Sequence, residues 1–339
     1  MYEERAFYST GLYWPEKSGK ILSLNKFFNL WTAEQMKSCL NFKKLNMQNI
    51  KKIFIIQLFF NIFLSFPLLA DRIFITTVHP AAAILSEITG SRSRVERLIP
   101  PGISPHTYEA RPSDMVKIKR SKGIFYISAE MDGWAAMDKS IKSFEMISFL
   151  PENQRLSLVH GHSHGKNHSS GNEDPHFWTD PLSVKAVLPG LTEALCSRDR
   201  EGCSVYTVNA GNFAKKLTEL DQKIKYSLRA SEGKKFILYH PSFRYYFKRY
   251  GLIEAGTLEP VAGGEPSARH IGNIISTVKT KNVSAILQEP QFSSSMAKLV
   301  AGETGIPVIT IDPTGGVSGR ITYEELLMFN TQAFSRAPR

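Results

Sequence analysis

Apolar positions along the chain fall into two rhythms. Short apolar runs predict β-strands at 72–77, 95–99, 123–128, 156–159, 235–240, 284–290 and 307–312. Between them, apolar residues recur every three to four positions. That spacing predicts helices at 80–88, 113–122, 182–195, 204–230, 242–250, 269–279, 294–304 and 322–334. Strands alternating with helices give parallel sheets covered by helices. The helix over 204–230 is the longest, with Tyr206, Phe213, Leu217, Leu220, Ile224 and Leu228 on one face. At ~1.5 Å per residue it spans about 40 Å. The predicted fold class is therefore α/β: two doubly wound α/β lobes joined by one long spanning α-helix.

The front of the chain follows a different pattern. Lys51 and Lys52 precede an apolar stretch over 53–66, and Leu68-Leu69-Ala70 then offers a small residue before Asp71. That is the layout of a cleaved signal peptide over 47–70, and it predicts export to the periplasm. The stretch is short for a membrane span, which needs about 20 apolar residues. Residues 1–46 have no amphipathic period and are read as an upstream extension, with translation starting at Met47. The expected organisation is then an amino-terminal lobe over 71–202, a connecting helix over 203–231 and a carboxyl-terminal lobe over 232–339.

Trimming changes the charge. The whole chain has 42 Lys/Arg and 31 Asp/Glu, a formal net charge of +11. Residues 1–70 hold nine and four of these, which leaves +6 for the remainder. A moderate scattered charge bears on solubility and not on nucleic acid, and no aromatic-basic binding motif is present. Cys196 and Cys203 form an even pair in an exported chain, which favours a disulfide.

Candidate chemistry sits in histidines. His106 lies in SPHTYEARPSD (104–114), His176 in EDPHFWTDP (173–181) and His240 in LYHPSFRYYFKRYGL (238–252). Asp312 follows in ITIDPTGG (309–316). Three imidazoles and one carboxylate suit a four-coordinate zinc ion, and ligands from both halves of the chain place it between two lobes. His240 and Asp312 fall at the carboxyl ends of predicted strands, where open α/β sheets bind ligands. Glu289 is the competing acid for the fourth position, with water a third option. Glu109 is expected to stand behind the ligands or to be structural, and His79 and His270 are not expected to be ligands. A Gly/Ser/Asn-rich loop over 160–174 carries His160, His162, His164 and His168, an auxiliary low-affinity metal loop. The GHSHG run at 161–165 matches G-x-S-x-G but lacks the helix that a nucleophile elbow needs. With no H-E-x-x-H and no phosphate-binding loop, the pattern points away from an enzyme.

Six segments in order resemble the metal-binding solute receptors of ABC transporters, metal-binding cluster A-I, in their zinc-uptake branch. They are PPGISPHTYEARPSD, EDPHFWTDP, HPSFRYYFKRYGL, GEPSARH (264–270), QEPQFS (288–293) and ITIDPTGG, and the resemblance covers about 71–330. It implies a monomeric carrier that binds Zn2+ through His106, His176, His240 and Asp312. It also implies delivery to a membrane permease driven by an ATPase. Manganese-binding relatives usually carry Glu where this chain has His240, and imidazole there suits zinc better. Alternatives within the resemblance are a manganese or iron receptor and an adhesin-type surface protein.

Overall fold

The computed structural model describes residues 72–157, 173–259 and 263–338. Within the amino-terminal 68-residue unit it describes one short antiparallel pairing, Trp14–Pro15 with Ile21–Leu22. The proposed signal peptide and the loop histidines 160, 162, 164 and 168 lie outside the described residues.

The first lobe is built on four parallel strands. They are β1 (Ile73–Thr76), β2 (Arg94–Arg97), β3 (Gly123–Tyr126) and β4 (Ser143–Glu145), in the order β2-β1-β3-β4. Helix α1 (His79–Thr89) links β1 to β2, and α2 (Pro112–Lys119) lies between β2 and β3. Of the strand expected at 156–159, the described residues Leu156 and Ser157 do not join this sheet. Ser157 makes an isolated antiparallel bridge to Glu173. The fourth place is taken by β4, a three-residue edge strand.

Helix α3 (Pro181–Arg198) and the 26-residue α4 (Cys203–Leu228) follow. Asp180 caps α3, its carboxylate accepting from the backbone N–H of Leu182 and Ser183. The Cys196–Cys203 disulfide joins the end of α3 to the first residue of α4.

The second lobe repeats the plan. Strands β5 (Lys235–Leu238), β6 (Ile253–Thr257), β7 (Val283–Gln288) and β8 (Val308–Thr310) form a parallel sheet ordered β8-β7-β5-β6. Helices α5 (Arg244–Tyr250), α6 (Ala268–Lys281), α7 (Ser295–Thr304) and α8 (Tyr323–Arg336) alternate with them. The chain leaves α5 through Gly251 at φ 69°, a left-handed conformation that glycine adopts without a Cβ penalty. Thr322 and Glu325 form a reciprocal capping box at the start of α8.

One apolar core runs through both lobes. It passes from Phe74 and Ile84 through Tyr206, Phe213 and Leu217 of α4 to Phe236 and Phe334. Near its start, the α4 residue Tyr206 is hydrogen-bonded to Ser93 of the first lobe. Near its end, Asp221 accepts from Tyr250 and Lys223 pairs with Glu324 of the second. The helix is thus a packed spine, not a flexible tether. All four strands of the second lobe end just before a chemically functional residue. His240 follows β5, Glu259 follows β6, Glu289 follows β7 and Asp312 follows β8.

Candidate metal centre

His106 sits in the loop after β2, His176 just before the turn that enters α3, and His240 two residues beyond β5. The fold brings these three together. One ring nitrogen from each lies within 4.8 Å of the others. His106 Nε2 and His176 Nε2 are 3.2 Å apart. Bonds of ~2.0–2.1 Å in a tetrahedral zinc site place neighbouring nitrogens about 3.3 Å apart. The arrangement therefore needs little movement to take an ion. Ring centroids of 4.7 Å (His106–His240), 5.1 Å (His176–His240) and 5.3 Å (His106–His176) describe a closed triangle.

Buried carboxylates fix the tautomers. His176 Nδ1 donates to Asp174 Oδ1 at 2.7 Å, and His240 Nδ1 donates to Glu259 Oε2 at 2.7 Å. With Nδ1 carrying the proton, each Nε2 turns a bare lone pair toward the cleft, as a metal ligand requires. His240 Nε2 is buried and has no hydrogen-bond partner among the described residues. A buried, unpaired acceptor is costly, and a bound cation satisfies it. Burial, and then the neighbouring His176 and His240, hold the His106 pKa down to about 2. Burial also lowers that of His240, opposed by Glu259. Both rings are thus held neutral and ready to ligate.

Asp312 stands apart from this cluster. Its Oδ1 accepts from Thr314 N (2.9 Å), Thr314 Oγ1 (3.1 Å) and Gly315 N (2.8 Å), and its Oδ2 pairs with Arg320 at 3.4 Å. The acid that does line the cleft with the three rings is Glu289. It is fully buried and accepts from Ser242 Oγ at 2.5 Å and from Gln291. Burial pushes its carboxyl up to about 8 despite the Ser242 bond. His79 and His270 each bond a backbone carbonyl instead, those of Ile321 and Thr257. Glu109 is exposed.

Asp174 and Glu259 were not singled out in the sequence. Asp174 carries a local signal, an acid two residues before a candidate ligand. Glu259 carries none, because only the pairing of β5 with β6 sets it beside His240.

Comparison with known proteins gives a consistent picture. Zinc-binding protein AdcA of Streptococcus pyogenes is 26% identical over 260 residues, which are 72% of this chain and 50% of AdcA. The chain therefore spans about half the length of that relative. The high-affinity zinc uptake system protein ZnuA of Bacillus subtilis is 28% identical over 256 residues, 72% of this chain and 79% of that protein. A crystal structure of ZnuA matches with a TM-score of 0.69 at 25% identity, covering 79% of this chain and 99% of that one. The family model for ZnuA, the periplasmic component A of the zinc-uptake complex, matches residues 75–337. The chain belongs to that family.

Proposed function

We propose that this protein captures Zn2+ outside the cytoplasm and delivers it to a membrane ABC permease for uptake. The observation that carries the reading is the convergence of three imidazoles from separate segments, two of them backed by buried carboxylates. In this proposal His106, His176 and His240 ligate the ion. An all-imidazole set suits zinc, whereas manganese sites are richer in carboxylate.

Zinc is cargo here and not a resident cofactor. Three neutral imidazoles leave the ion's charge unbalanced within the first shell, and water or Glu289 completes the coordination. The two lobes contribute ligands to one ion, so binding draws them together. The continuous core through α4 keeps that motion small. The family's membership in zinc-uptake systems supports the permease and its ATPase as partners. A signal peptide at 47–70 supports release into the periplasm, and monomeric, non-enzymatic action completes the reading.

A competitive zinc titration tests it. The protein should bind one tight equivalent, and His240→Ala should lose far more affinity than deletion of 160–168. Equal losses would place the main site in the loop and overturn the assignment.

A further inference from the structure

We propose that Asp312 is a positioning residue for the zinc site, shaping the turn that holds the His176 segment in place instead of ligating the ion. The proposal rests on the three-histidine reading above and deepens it.

Asp312 is buried, and its backbone is gripped on both sides by Asn330 of α8. Asp312 N donates to Asn330 Oδ1, and Asn330 Nδ2 donates to Asp312 O, both at 2.7 Å. Its side chain closes the next turn by accepting from Thr314 N, Thr314 Oγ1 and Gly315 N. Arg320 balances the charge. Pulling this carboxylate into a metal shell would strip three donors at once and leave buried groups unpaired.

The turn is placed to matter. The carbonyl of Pro313 accepts from the indole Nε1–H of Trp178 at 2.9 Å, and Tyr323 Oη donates to the carbonyl of Trp178 at 2.7 Å. Trp178 is fully buried, two residues from His176, and its ring centroid is 5.2 Å from that imidazole. Pro313 and Thr314 themselves wall the cleft beside the three rings. The chain of contacts therefore runs from Asp312 through Pro313 and Trp178 to His176.

The same turn forms a seam with the first lobe. Arg97 donates to the carbonyl of Gly316 at 3.4 Å, and His79 meets the carbonyl of Ile321. Gly316 has φ 81°, a left-handed conformation that glycine adopts without a Cβ penalty, and a Cβ there would crowd both Arg97 and His79. A turn that touches β2, α1 and the His176 segment together couples the second lobe to the His176 side of the site.

The distinguishing experiment uses Co2+ as a spectroscopic stand-in for zinc, with zinc affinity measured in parallel. Asp312→Ala removes the acceptor and should weaken zinc binding about tenfold. Asp312→Asn keeps an acceptor for Thr314 and Gly315 and should recover most of that loss. Its Co2+ absorption should match the unmodified protein in position and intensity. Should Asp312→Ala fail to fold, Trp178→Phe removes the donor to Pro313 and trims the ring beside His176. It should lose affinity with an unchanged Co2+ spectrum. An Asp312→Asn protein with a shifted Co2+ spectrum and no recovery would make Asp312 a ligand and overturn the proposal. Unaltered affinity in Asp312→Ala would overturn it too. Failure of the underlying reading looks different: His240→Ala would then leave the Co2+ spectrum of the otherwise unmodified protein unchanged.

Discussion

Glu259 Oε2 accepts a 2.7 Å hydrogen bond from His240 Nδ1, and this bond decides which nitrogen faces the cleft. Glu259 is buried and also accepts from the Gly263 N–H at 2.6 Å, so its carboxylate is held on both oxygens. Glu259→Gln should keep the shape but lose the charge that raises the ligand's basicity. Zinc affinity should fall about 10–100-fold, the usual effect of removing a carboxylate behind a metal-binding histidine. Competition against a chelator of known affinity measures this, and an unchanged constant would remove Glu259 from the site.

Asp174 plays the matching part for His176, with an added backbone bond from His176 N to the same oxygen at 3.0 Å. Asp174→Asn should therefore weaken zinc binding and also loosen the loop. Faster amide exchange at Asp174 and at 176–178 than in Glu259→Gln should accompany the loss of affinity. Identical exchange in the two variants would argue against the double role.

The pH dependence should be shallower than free histidine suggests. Three imidazoles at the reference pKa of ~6.5 would cost roughly a thousandfold in affinity between pH 7.5 and 5.5. Burial holds His106 at about 2, so that ring stays neutral throughout the range, and burial shifts His240 in the same direction. The loss should stay below about a hundredfold. The cost appears in stability instead. Both folded-state values lie below the unfolded one, so the stability they carry is present above about pH 6.5. It is lost as pH falls, because the unfolded chain takes up the protons. Titrations at the two pH values together with melting curves of the metal-free protein check both signs.

Along α4, Leu217 is fully buried in the core that joins the lobes. Leu217→Ala should cost about 2–5 kcal/mol of stability through the lost burial and the cavity left behind. Breaking the Cys196–Cys203 link, which closes a short loop with a separation of seven residues, should cost about 2.5 kcal/mol. Denaturant unfolding under oxidising and reducing conditions separates the two effects.

Much of this was readable from residues alone, for identifiable reasons. The central strands β1, β3, β5 and β7 are apolar because helices or neighbouring strands cover them, and each was legible as a short run. The α4 face was legible because its apolar period holds across 26 residues. The edge strands β4 and β6 were not. Ser-Phe-Glu and Ile-Glu-Ala-Gly-Thr are partly solvated, so nothing in their pattern separates them from loops. The three histidines stood out because each sits in a distinctive segment. Asp312 was expected at the fourth position because it ends a strand on the correct side. That rule places it near the cleft but cannot say which way its oxygens are committed. Glu259, 19 residues after His240, is a neighbour only through the β5–β6 pairing.

The central claim is that His106, His176 and His240 hold one ion together. Zinc K-edge X-ray absorption on the protein loaded with one equivalent of Zn2+ tests it most directly. The expected first shell has three imidazole nitrogens at about 2.0–2.1 Å, with one oxygen completing it, and it loses one imidazole in His240→Ala. A shell made mainly of oxygen, or one that His240→Ala leaves unaltered, would contradict the account.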